Sequence, residues 1–100
     1  MKIAILPSAR DDLADGFDFY ERQSEGLGSY FLEALYADVE SLRLYAGIHR
    51  KVFGFHRLLS KRFPYAAYYD LEGRTIRVWA VLDCRQDPET IRRRLAGLRR

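Results

Sequence analysis

The sequence is poor in the features that mark exported, fibrous or membrane-bound chains. It holds one cysteine, Cys84, so no disulfide closes within the chain, and a reducing compartment is expected. It has three prolines, seven glycines and no low-complexity or repeated tract, which excludes linkers and solenoids. No apolar run approaches the roughly 18 residues that span a bilayer, so no membrane is expected. The opening Met1–Pro7 is too short to read as a secretory leader and is soon followed by acids, so a cytoplasmic protein is expected. Acidic residues are missing from one stretch altogether. None occurs between Glu40 and Asp70, an interval that carries Arg43, Arg50, Lys51, Arg57, Lys61 and Arg62.

What is present describes one folded domain, 1–100. Of the 100 residues, 48% are hydrophobic and 31% charged, outside the disordered range and enough for a core without staples. The net charge of +3 hides an asymmetry. Residues 1–50 hold five Lys and Arg against nine Asp and Glu, a net of −4, while residues 51–100 hold twelve against five, a net of +7. A basic face for an anionic partner, nucleic acid or an acidic protein segment, is one reading; a solvated surface is the other.

Hydrophobic spacing orders the elements. Lys2–Leu6 reads as a strand ended by Pro7. Ser8 three residues before Asp11 resembles a capping box, and Ala9, Leu13, Phe17 and Tyr20 then form a helical stripe, with Asp11, Asp12, Asp15 and Asp18 at the other positions. Gly26-Leu27-Gly28 breaks this helix. A second is expected over about Ser29–Tyr45, its stripe Phe31, Leu35, Val39 and Leu42, stopping at Ala46-Gly47. Strands are expected at about Val52–Arg62, Tyr65–Leu71 and Thr75–Asp83, the last two joined by a tight turn at Glu72-Gly73-Arg74. Alternation in the last strand sets Ile76, Val78, Ala80 and Leu82 on one face, and Arg77, Trp79, Val81 and Asp83 on the other. Asp87-Pro88-Glu89 then starts an arginine-rich helix to Leu98. The order β-α-α-β-β-β-α predicts an α+β domain, a helical hairpin on a small antiparallel sheet.

That order, with Arg62-Phe63-Pro64-Tyr65-Ala66-Ala67-Tyr68-Tyr69-Asp70-Leu71-Glu72-Gly73 and Val78-Trp79-Ala80-Val81-Leu82-Asp83-Cys84-Arg85-Gln86-Asp87-Pro88, resembles the RelE/ParE superfamily. These are toxins of type II toxin–antitoxin (plasmid stabilisation) systems, and the chain looks closer to the ParE branch. The resemblance implies a bacterial growth inhibitor that needs no cofactor and is silenced by an antitoxin with an acidic, amphipathic C-terminal segment. It implies DNA gyrase as target for a ParE-like member, or the ribosome and mRNA for a RelE-like endonuclease. A degenerate homologue that binds antitoxin without toxicity is a third alternative.

The chemistry of RNA cleavage separates the branches. Metal-free cleavage needs a base for the 2′-hydroxyl, cations for the phosphorane and an acid for the leaving oxygen. The RelE pattern has two lysines on its second strand, an arginine on the third, another after the fourth and a later aromatic hydroxyl. On this sequence Arg85 meets the last arginine, while His56, Leu58, Tyr65 and Ile91 stand at the other positions. A substitute cation set would be Arg57, Lys61 and Arg85, with Arg57 and Lys61 on one strand face. Candidates for antitoxin or target contact are Arg57, Lys61, Arg62, Tyr65, Trp79, Arg85, Arg92 and Arg93. Cys84 sits beside Asp83 and Arg85, a setting expected to lower its thiol pKa, but no Cys/His nucleophile pair is visible. His49 and His56 with one distant cysteine fit no zinc spacing, so no metal is expected.

Overall fold

The computed structural model describes residues 1–99. Nine elements follow in order: β1 (Lys2–Ile5), α1 (Pro7–Glu21), α2 (Leu27–Glu40), α3 (Leu42–Tyr45), β2 (Lys51–Val52), β3 (Phe55–Leu59), β4 (Tyr65–Glu72), β5 (Thr75–Asp83) and α4 (Pro88–Leu98). The five strands form one sheet in the order β1-β5-β4-β3-β2. The pairs from β2 to β5 are antiparallel, as expected for this α+β fold, and β1 joins β5 in parallel. The α1–α2 hairpin covers one face of the sheet and α4 the other.

Several local expectations change. The Val52–Arg62 strand is interrupted at Phe53-Gly54, where φ is +52° and +86°, a two-residue turn joining β2 to β3. It also ends early, because the Ser60 hydroxyl donates to the buried Asp38 carboxylate at 2.6 Å and turns the chain toward α2. Lys61 therefore lies in a loop with Arg62, and not on the Arg57 strand face expected for it. The second helix is broken at Ser41 into α2 and α3.

In β5 the alternation slips at Trp79, which has no partner because Tyr68 stands opposite Ala80 and Tyr69 opposite Val78. Ile76, Val78 and Val81 thus face the hairpin, while Ala80 and Leu82 face α4. The turn at Gly73 has the expected positive φ, +58°.

The hairpin is set by close approach. A Cβ on Gly16 would meet the Phe31 ring at 2.5 Å, and one on Gly28 the Phe17 carbonyl oxygen at 2.7 Å. The Glu21 carboxylate accepts the N–H groups of Gly26 and Gly28, each at 2.9 Å, satisfying donors at the start of α2. Ser8 does not cap α1. Its hydroxyl donates across to the Trp79 carbonyl at 2.5 Å, and the cap position falls on Leu6. Asp12, expected on the solvent side, is buried. By contrast Asp87 caps α4 as read, its side chain accepting from the Glu89 N–H.

Candidate functional site

Beyond Val78, β5 has outgrown the short β1, and its edge is finished by side chains from α1. Ser8 takes the Trp79 carbonyl, and one turn later Asp12 accepts the Val81 N–H at 2.9 Å. Arg94 reaches round this edge from α4 to both Asp12 oxygens, at 2.9 and 3.0 Å. Burial outweighs these contacts and holds the Asp12 carboxyl above its ordinary value. Asp12, Asp15, Phe19, Tyr65, Asp83 and Arg94 line a cleft of about 320 Å³.

The end of β5 also separates the predicted cations. Asp83 and Arg85 turn toward the hairpin. Arg85 donates to Asp83 at 2.7 and 3.0 Å, and this pairing holds the Asp83 carboxyl below its ordinary value. The guanidinium acts on the Tyr20 and Tyr65 hydroxyls. Tyr65 is a core residue, its ring 4.9 Å from that of Phe31, and burial pushes its hydroxyl up to about 12.

Cys84 turns the other way. With Arg57, Tyr68, Phe53 and Ile91 it lines a smaller cleft of about 170 Å³ on the α4 side. Burial raises the Cys84 thiol pKa and outweighs Arg57, the reverse of the lowering expected beside Asp83 and Arg85. Gln86 borders both clefts.

Arg57 and Arg85 thus stand on opposite faces of the sheet, and Lys61 is exposed in the loop beyond β3. The three do not surround one phosphate-sized space. Arg62 donates to the Tyr30 hydroxyl at 2.9 Å, tying the same loop to α2. Leu58, Tyr65 and Ile91, at positions that RelE-like chemistry fills with catalytic groups, are buried in the two cores.

Trp79 packs beside the α4 core under the Arg77 guanidinium, 5.1 Å from its ring. Its buried indole N–H lacks a partner in hydrogen-bonding geometry among the described residues. Arg92 pairs with Glu89 on exposed helix surface, Arg93 is exposed, and Arg100 of the arginine-rich end lies outside the described residues.

His49 and His56 form a different site from the metal pair considered. The His56 Nδ1–H donates to the His49 carbonyl at 2.6 Å, and His49 Nδ1 lies 2.6 Å from the Tyr69 hydroxyl. Among the described residues no three metal-ligating side chains come together, and no helix is long and apolar enough to cross a membrane.

Sequence reasoning missed Asp12, Ser8 and Glu21 as structural anchors. Only Glu21 had a local signal, the glycines five and seven residues later. Asp12 and Arg94 are 82 residues apart and meet through topology alone.

No protein-family model and no curated protein matches the sequence. Among solved structures, the fold is similar to a chain from "Chromosomal ParDE TA system from P. aeruginosa", with a TM-score of 0.67 and 20% identity. The match covers 81% of this chain and 92% of that one. It shows that this chain has the fold of that ParDE component.

Proposed function

We propose that this chain is the toxin of a type II toxin–antitoxin pair, ParE-like, which arrests growth by binding DNA gyrase. An antitoxin with an acidic, amphipathic C-terminal segment silences it by covering its surface. The observation that carries this reading is the fold shared with the ParDE component, in a chain whose cations are dispersed. Phosphoryl-transfer chemistry needs its cations and proton carriers converging on one phosphate. Arg57 and Arg85 lie on opposite sides of the sheet, and buried Leu58, Tyr65 and Ile91 serve packing. Binding of a protein target has no such requirement, and exposed apolar and cationic surface suits it.

The test is induced expression, alone and with the product of the adjacent reading frame. Expected alone are lost colony formation, filamentation and DNA-damage signalling, with the purified chain inhibiting supercoiling by gyrase. Co-expression should restore growth. Rapid transcript cleavage on ribosomes, abolished by Arg57→Ala and Arg85→Ala, would replace this reading with the endonuclease. Normal growth together with retained antitoxin binding would identify the degenerate homologue.

A further inference from the structure

We infer that Leu44, Tyr45, Ile48 and Leu71 form the seat for the antitoxin's acidic, amphipathic segment, an assignment that rests on the toxin reading above. Leu44 and Ile48, 81% and 72% exposed, are the most exposed large hydrophobic residues among those described, and Tyr45 and Leu71 are 51% and 40% exposed. They belong together. α3 carries the first two, Ile48 follows one turn later, and a Cβ on the intervening Gly47 would lie 3.3 Å from Leu71 at the end of β4.

The surface is held in place. The Gly47 N–H donates to the Tyr69 hydroxyl at 2.9 Å, and the same hydroxyl contacts His49 Nδ1. The His56 Nδ1–H fastens the His49 carbonyl, and its ring stacks on Tyr69 with centroids 5.0 Å apart. A network on a fully buried tyrosine thus flanks Ile48 on both sides and presents its side chain to solvent. A preorganised apolar group loses little conformational entropy when a partner covers it.

Charge selects the occupant. Arg50 and Lys51 leave this loop exposed, and the whole stretch from Ser41 to Tyr69 lacks an acid. The nearby Glu72 is already engaged by Arg77 at 3.1 Å. A second copy would bring like charges together, whereas a segment with leucine-type side chains on one side and carboxylates along its rim matches both features.

The probe is the product of the adjacent reading frame, titrated calorimetrically into the full-length chain. Leu44→Glu and Ile48→Glu should each weaken binding roughly 30-fold or more, as central contacts do. Lys51→Glu should weaken it less and flatten its salt dependence. Ala96→Glu, on exposed α4 surface on the other side of the sheet, should leave affinity unchanged. Ile48→Ser removes the apolar group without adding charge and should weaken binding in the same direction, and circular dichroism checks each fold. If wild type binds and both Glu variants bind equally well, the seat is overturned while the toxin reading stands. If the neighbouring product fails to bind or neutralise wild type, the toxin reading itself fails. A dimer of the chain alone that Ile48→Glu dissolves would assign the surface to a second copy and overturn the inference.

Discussion

On the hairpin side of the sheet, Phe31 sits between Tyr20, Phe63 and Tyr65 with ring centroids 4.9–5.2 Å apart, and Leu35, Val39 and Leu42 continue the contact. On the α4 side, an eleven-residue helix contributes Ile91, Leu95 and Leu98, and much of its remaining hold comes from arginines. Arg94 grips Asp12 at one sheet edge, and Arg99 grips Asp70, the Gly54 carbonyl and the Phe55 ring near the other end of the helix. Dispersion and hydrophobic burial grow with the number of close neighbours, whereas polar fasteners give back much of their attraction as desolvation. Stability should therefore concentrate on the hairpin side, and attachment of α4 should respond more to charge and salt.

The largest effect tests that contrast directly. Phe31→Ala should cost roughly 3–5 kcal/mol, since it empties the aromatic junction of both helices with the sheet. Leu95→Ala, equally buried but under one short helix, should cost roughly 2–3 kcal/mol. Urea unfolding at equal m-values measures both. A loss at Leu95 matching or exceeding that at Phe31 would break the comparison.

The contrast was only half visible in the chain. The hairpin stripe Phe31, Leu35, Val39 and Leu42 could be read from helical spacing, and β5 and the Asp87 cap fell where local pattern put them. The α4 side could not be read in that way. Its facing residues in β5 depend on the Trp79 bulge, which depends in turn on pairing with β4. Its fasteners join residues far apart in sequence, such as Arg94 with Asp12 and Arg99 with Asp70. The predicted site residues show the same division. The cations among them were plain from residue type, but the face that Arg57, Lys61 and Arg85 each occupy depends on strand register, on the Ser60 turn and on the Phe53-Gly54 reversal. A phenylalanine at positive φ gives no advance warning, because the residue type disfavours that conformation.

A middle-sized effect belongs to Asp12, where the two sides meet. Asp12→Ala should cost roughly 2–4 kcal/mol, leaving the buried Val81 N–H without its acceptor and Arg94 without its partner. Asp12→Asn keeps an amide oxygen for Val81 and should lose less than half as much. The pH dependence carries a sign. Because the folded carboxyl is held above its ordinary value, its contribution is complete below the unfolded value of about 4 and fades as pH rises through the folded value. The stability gap between wild type and Asp12→Asn should widen on acidification from pH 7 to pH 4. Asp70 behaves oppositely. Burial pushes its carboxyl up, but hydrogen bonds from Arg77 and Arg99 prevail and hold it low. Its contribution is present above about pH 4 and is lost as pH falls through the folded value. The gap for Asp70→Asn should hold from pH 7 to about pH 4 and narrow on further acidification, and a gap that widens as pH falls would refute the assigned sign.

The smallest effect isolates the fastener at the end of α4. Arg99 is partly exposed, so its ion pair with Asp70 is screened, and its face-on contact 3.9 Å from the Phe55 centroid adds a term that salt weakens less. Arg99→Ala should cost about 1 kcal/mol, well below either core truncation. Arg99→Lys should recover only part of it, since an ammonium cannot stack flat on Phe55 while reaching both the Gly54 carbonyl and Asp70. Amide exchange supplies the finer readout. In Arg99→Ala the last turn of α4 should exchange faster while amides of α2 keep wild-type protection, because the hairpin side makes no use of this contact. Equal acceleration on both sides would mean that the arginine supports the whole sheet, and the division of labour between the two faces would have to be abandoned.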